Sequence, residues 1–115
     1  MTKENSDKIK NLANKVSSYN EYGEPDTFIS EWYIDYDSTL CTLIERYADS
    51  KAFLYHADRF LTGPHYKEIM DTLTFSKMSI FGDVTDEVID FFHKFNLFKP
   101  VFHNYVDGFS RRVIN

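Results

Sequence analysis

The chain has 115 residues but few of the residue types that carry special chemistry: one cysteine, four glycines, three prolines and one tryptophan. A single cysteine, Cys41, excludes an intrachain disulfide and fits a reducing compartment. Scarce glycine disfavours a nucleotide site, because in such sites the backbone must approach phosphate closely. No apolar run approaches the roughly 20 residues of a membrane-spanning helix, and the N-terminus lacks the apolar core of a signal peptide. We therefore predict a cytoplasmic protein without a membrane partner.

Clustered positive charge is also missing, and the formal net charge at pH 7 is −5. Nucleic-acid binding needs clustered cations that neutralise phosphates, so we predict no nucleic-acid partner. The pattern predicts no metal site, because it has no paired-cysteine motif, and His56, His65 and Glu68 match no zinc spacing. It also predicts no cofactor, because it has no phosphate-binding glycine loop.

Aromatic residues, in contrast, are abundant. The 11 phenylalanines, 8 tyrosines and single tryptophan make up 17% of the chain. A chain of this length forms one domain over residues 1–115 with a single modest core. Because each aromatic side chain buries a large area, we expect the excess either to pack an oversized core or to line a pocket or an interface between subunits.

Hydrophobic periodicity predicts a helix followed by a β-hairpin. Apolar residues recur at helical spacing over residues 6–19, and Gly23 and Pro25 end that segment. Two runs rich in aromatic and β-branched residues follow, 27–35 and 39–47, joined by a short polar connection. The same patterns predict helices over 49–61, 65–73 and 85–96, and strands over 75–83 and 101–105. The fold class is therefore α+β.

Both faces of the predicted hairpin carry apolar residues, so both need a cover. One face of the first strand carries Phe28, Ser30, Trp32 and Ile34. The chain is too short to supply two covering layers, which indicates a homodimer that packs through the sheet. We expect Glu31, Glu45 and Arg46 to form ion pairs across the hairpin or the dimer contact, since charges in a covered sheet need partners.

Three segments resemble a known family: GEPDTFISEWYID (23–35), LIERYADSKAFLYH (43–56) and GPHYKEI (63–69). They are similar to the dimeric α+β barrel superfamily, and more narrowly to the antibiotic biosynthesis monooxygenase-like proteins. In such proteins a glycine-containing turn leads into the hairpin, and an acidic and an aromatic residue precede a helix with a histidine. Here those residues are Glu45, Tyr47 and His56, and a Pro-His-aromatic element follows.

The resemblance implies a ferredoxin-like antiparallel sheet with helices on one face. It also implies a homodimer and a pocket between each sheet and its own helices. Family members include cofactor-independent monooxygenases, haem-degrading enzymes and proteins without known activity. A ferredoxin-like domain has one more strand before the first helix. We expect that strand either upstream of Met1 or replaced by the segment near Val101.

The two histidines of YHADRFLTGPHYKE (55–68) have different predicted positions. His56 shares a helix face with Ala52, Phe53 and Phe60, so it points inward. One interpretation is a core histidine hydrogen-bonded to tyrosine or glutamate. The other is a general base, because an imidazole among aromatic side chains has a lowered pKa. His65 opens the next helix and lies on the surface or at a pocket mouth.

Three hypotheses about function follow from the aromatic excess and the inward histidine. The first is an apolar pocket for a hydrophobic small molecule, either aromatic and polyketide-like or fatty-acid-like. Its predicted lining is Trp32, Tyr47, Phe53, His56, Phe60, His65 and Met78. The second is a cofactor-independent monooxygenase with His56 as catalytic base on a phenolic or enolic substrate. The third is a structural dimerisation module whose pocket is closed by its own side chains.

Overall fold

A computed structural model describes residues 3–35, 37, 40–96 and 99–111. Within these residues four helices and two small sheets form an α+β fold, as predicted. The elements are α1 (Lys3–Gly23), β1 (Thr27–Ile34), β2 (Cys41–Tyr47), α2 (Ser50–Thr62), α3 (Tyr66–Thr72), β3 (Ser79–Phe81), α4 (Asp86–Lys94) and β4 (Val101–His103). The chain divides into two compact units, Met1–Thr74 and Phe75–Asn115. No helix in the described part of the chain is long and apolar enough to cross a membrane.

The first unit contains a β-hairpin on which α1 and α2 pack, and a third helix, α3, that packs on both of these helices. β1 and β2 pair antiparallel, with Trp32 opposite Leu43 and Ser30 opposite Glu45. Helix α1 packs on β1, while α2 packs on both strands and on α3. These contacts define the inner face of the hairpin, which includes Trp32, and the outer face, which includes Tyr33.

A β-bulge at the start of the hairpin corrects one part of the predicted face pattern. Thr27 pairs with Tyr47, but Ile29 rather than Phe28 pairs with Arg46, so Phe28 is the extra residue. Its side chain is 62% exposed instead of joining the inner face. The prediction assumed that side chains alternate between the two faces from the first residue of the strand onward. The extra residue of a bulge interrupts this alternation, so the face assigned to Phe28 was wrong.

The core of the first unit forms where α1 faces α3 and β1. Leu12 is fully buried, and Val16 and Ile69 are nearly so. Trp32, Phe60 and Leu73 pack against these three residues. Burial of such side chains contributes about 1.5–3 kcal/mol each, which anchors α1 on the hairpin. The apolar face predicted for residues 6–19 therefore forms the core side of α1.

The second unit is smaller and its strands are shorter than predicted. β3 and β4 pair in parallel over three residues, with Ser79 opposite Val101. Strands were predicted over 75–83 and 101–105, but only the three paired positions of each are regular. An extended segment is held as a strand only where a partner accepts its hydrogen bonds. In α4, Val88 and Phe92 are buried, and the Phe92 ring meets the edge of Phe102 at 6.2 Å between centroids.

Candidate functional site

A buried carboxylate lies where α1 ends and the hairpin begins. Glu24 is 3% exposed, and its backbone N–H donates to the carbonyl of Asn20 at 2.8 Å. Its side-chain Oε1 accepts a hydrogen bond from the Thr27 hydroxyl at 2.8 Å. The C-terminal end of a helix carries partial negative charge, so a carboxylate there is unfavourable without further partners. Helix α2 supplies those partners.

His56 and Arg59, one helical turn apart on α2, both contact Glu24. His56 Nδ1 lies 2.8 Å from Oε1, and Arg59 Nη1 donates to Oε2 at 2.8 Å. Because a carboxylate accepts hydrogen bonds, the Nδ1–H of His56 donates to Glu24. The Glu24 charge is therefore matched by the Arg59 guanidinium, and the imidazole ring is held in one orientation.

Helix α1 also shapes the position of Arg59. The guanidinium lies over the Tyr19 ring at 3.9 Å from its centroid and donates to the Tyr19 carbonyl at 3.4 Å. A Cβ atom at Gly23 would overlap the same guanidinium. Glycine at this helix end is therefore required for space, because Arg59 occupies the volume that a side chain would take.

The second nitrogen of His56 faces another carboxylate. Nε2 lies 3.4 Å from Oε2 of Glu45, which projects from the inner face of β2. Burial raises the pKa of the Glu45 carboxyl, and the nearby His56 acts in the opposite direction. The Glu45 side chain is 20% exposed and that of His56 is 14% exposed. Solvent can thus reach the His56–Glu45 pair, whereas the Glu24 side chain is almost inaccessible to water.

Tyr47 completes the group of residues around His56. Its ring lies 5.3 Å from the imidazole, and Phe53 meets it edge-on at 5.4 Å. Burial, followed by the negative charge of Glu45, raises the pKa of the Tyr47 hydroxyl. The hydroxyl is buried beside Glu45, but no described atom reaches it in hydrogen-bond geometry. This hydroxyl stays protonated and lies close enough to the Glu45 carboxyl to interact with it.

We call Glu24, Glu45, Tyr47, His56 and Arg59 the His56 cluster. The imidazole lies between two carboxylates, a geometry that matches the interpretation of a core histidine hydrogen-bonded to glutamate. Glu45 contacts α2 rather than a charge across the hairpin, because its cross-strand neighbour is Ser30. The arrangement can hold a proton between Nε2 and the Glu45 carboxyl while Glu24 fixes the ring.

The other residues predicted to line a pocket occupy different places. His65 caps the start of α3, and its ring meets Tyr19 edge-on at 5.5 Å. Phe60 packs on the core of the first unit. Met78 belongs to the second unit, where its carbonyl accepts a hydrogen bond from Val101 N–H at 3.0 Å.

A separate pocket lies between α1 and β1. It has a volume of about 350 Å³ and is lined by Ile9, Lys10, Ala13, Trp32 and Ile34. Trp32 is shared with the predicted lining. The Trp32 Nε1 atom is buried and no described group accepts its hydrogen bond. The pocket therefore meets the apolar part of the indole rather than its N–H.

Sequence reasoning missed Glu24 and Arg59, although signals for both were present. Glu24 follows a predicted helix end, where the dipole disfavours an acid that has no partner. Arg59 is three residues after His56 and so shares its helix face. Neither signal identifies the partner, because these contacts join residues 32 and 35 positions apart.

No group of three histidine, cysteine, aspartate or glutamate side chains that could hold a metal occurs among the described residues. Burial raises the pKa of the Cys41 thiol, which makes it a poor nucleophile. No protein-family model, curated protein or solved structure matches the chain. Membership of the dimeric α+β barrel superfamily therefore stays a prediction.

Replacing Glu24 by glutamine should destabilise the protein by about 3 kcal/mol, because it leaves the Arg59 cation largely buried without its countercharge. Urea unfolding monitored by circular dichroism measures this. Glu68→Gln is the matched control, since Glu68 pairs with Lys15 at 2.6 Å on the surface. That change should cost less than about 1 kcal/mol. Equal losses in the two variants would contradict a central role for Glu24.

The raised pKa of Glu45 predicts a specific pH dependence of stability. The folded protein holds this proton more tightly than the unfolded chain, so the unfolding free energy falls as pH rises above the ordinary value of 4.5. Glu45→Gln cannot ionise and escapes this loss. Its stability relative to the wild type should therefore increase between acid and neutral pH, as measured by urea unfolding in a pH series. Glu31→Gln, on the exposed outer face, is the charge-matched control, and an equal change there would refute the assignment.

Proposed function

We propose that this protein is a homodimer of the dimeric α+β barrel type, similar to antibiotic biosynthesis monooxygenase-like proteins, and that it binds a hydrophobic small molecule. The observation that carries the proposal is the pocket beside Trp32, about 350 Å³ in volume and apolar on most of its walls. Small-molecule sites occupy about 300–1,000 Å³ and are lined mainly by apolar side chains. An aromatic, polyketide-like body or a fatty-acid-like chain fits this chemistry.

The pocket lies between the sheet and a helix of the same chain, which is where the family resemblance implies one. Ile9 and Ala13, four residues apart on α1, form one wall, and Trp32 and Ile34 of β1 form the other. The short side chain of Ala13 leaves room between the two walls.

The outer face of the hairpin supports the homodimer. Tyr33 is 50% exposed and Ile44 is 49% exposed on this face, with Glu31 and Arg46 beside them. An apolar patch rimmed by opposite charges is typical of an interaction surface. In a twofold-symmetric contact the same apolar patch lies on both copies, so a second copy of this chain is a complementary partner.

Native mass spectrometry tests ligand binding and assembly together. After incubation with a library of fatty acids and aromatic compounds, the wild type should appear as a dimer that retains a ligand. Ala13→Leu should lose the ligand but keep the dimer, because leucine fills the pocket and is a good helix former. Ala48→Leu, at an exposed alanine outside the pocket lining, is the control and should retain the ligand.

A change of Ile44 to glutamate in the same experiment should convert the dimer to a monomer, because it places like charges in the contact. A dimer that retains nothing from the library would favour the structural dimerisation module. A wild type that is monomeric and ligand-free would contradict the whole proposal.

A second candidate function is cofactor-independent oxygenation, favoured by the fixed orientation of His56. Its Nδ1–H is held by Glu24 and its Nε2 faces the partly exposed Glu45. In this proposal, His56 takes the proton of a phenol, and the electron-rich anion reacts with dioxygen. The phenolic O–H and one ring C–H become two carbonyl groups, and the second oxygen atom leaves as water. The Tyr47 ring would orient the substrate ring.

Oxygen uptake with a panel of dihydroxyaromatic substrates tests this candidate. His56→Ala should lower the uptake rate at least about 100-fold, the usual contribution of a general base. His93→Ala, at an exposed histidine of α4, should leave it unchanged. Circular dichroism of each variant separates a lost base from a lost fold. Failure of the wild type to consume oxygen with any substrate would rule the reaction out for that class.

A further inference from the structure

We propose that the pocket between α1 and β1 takes an amphipathic anion, a molecule with an apolar body and one carboxylate, and that Lys10 binds the carboxylate. This inference rests on the proposed ligand-binding function and specifies the ligand class. The ligand class follows from the charged residue in the pocket lining. The apolar walls alone do not distinguish an acid from a neutral molecule.

Lys10 is the one charged residue among the described residues of the pocket lining. The other four lining residues are Ile9, Ala13, Trp32 and Ile34. A ligand that fills this space therefore meets apolar surface over most of its body and a single ammonium group. Lys10 is itself exposed, so its side chain is accessible from solvent. An apolar chain with a terminal acid matches this distribution.

No described carboxylate forms an ion pair with Lys10. The contrast with two other lysines is informative, since Lys15 pairs with Glu68 at 2.6 Å and Lys67 pairs with Asp71 at 2.7 Å. Among the described residues no side-chain carboxylate neutralises the Lys10 ammonium, so it can pair with an anionic group of a molecule that enters the pocket. The net charge of the chain is −5, which repels anions in general. A local cation is what makes this pocket selective for an anionic headgroup.

The expected preference is modest because Lys10 is exposed to water. An ion pair at such a position contributes up to about 1 kcal/mol, and the upper part of that range, about 0.4–1 kcal/mol, corresponds to about a two- to fivefold change in Kd. Salt screens a pair of this kind, so the preference should shrink as ionic strength rises.

Tryptophan fluorescence gives a direct measurement, because Trp32 is the one tryptophan in the chain and lines the pocket. We expect decanoate to bind two- to fivefold tighter than 1-decanol at low salt. Both probes are used at concentrations where they stay monomeric. Lys10→Met should remove this difference while binding of 1-decanol persists. Lys8→Met is the matched control, with the same change of net charge on the same helix but outside the pocket lining, and it should keep the difference.

The outcomes separate this inference from the proposal on which it rests. Equal binding of the two probes to the wild type, or a preference that survives Lys10→Met, would overturn the role of Lys10 but leave a hydrophobic pocket. A preference lost equally in Lys8→Met would show a general charge effect and also overturn it. No response of Trp32 emission to either probe would contradict the proposed ligand binding itself.

Discussion

The buried carboxylate of Glu24 is the interaction on which the rest of the first unit depends. A charge that is nearly sealed from water is strongly unfavourable unless other groups satisfy it. Here the Thr27 hydroxyl, the His56 imidazole and the Arg59 guanidinium do so, and they come from the hairpin and from α2. Satisfying one carboxylate therefore sets how α2 is rotated against the end of α1 and the start of β1. The orientation of His56, and with it the contact to Glu45, follows from that rotation.

The inner face of the hairpin has two chemically different ends. Glu45 and Tyr47 lie at one end, under α2, where His56 supplies a group that can exchange a proton. Trp32 and Ile34 lie at the other end, beside α1, where the walls are mostly apolar and Lys10 is the one charged residue that the structure describes in the lining. Each end supports a different proposed function. Phe60 and Leu73 pack against the core cluster that also contacts Trp32, and they hold α1 and α3 together.

Local patterns predicted the helices and strands well because each depends on a short stretch of chain. The helical spacing that starts at Ile9 is confirmed, and the structure shows Asp49 as the N-cap of α2, where it accepts a hydrogen bond from Ala52 N–H at 2.8 Å. The same reasoning placed His56 on the inner side of α2. It failed at Phe28, where a bulge shifts the alternation, and for the length of β3, where the partner strand sets the limit. In both cases the deciding contact comes from another strand.

The sequence by itself determined the order of elements, the apolar faces of the helices and the scarcity of groups for metal or nucleotide chemistry. Those properties depend on residue type and on periods of a few residues. Only the tertiary structure decided that Glu24 is the partner of His56, that Arg59 needs Gly23 to be small, and that the open space lies beside Ala13. These features depend on contacts between residues distant in the chain, and a period of 2 or 3.6 residues carries no information about which distant groups meet.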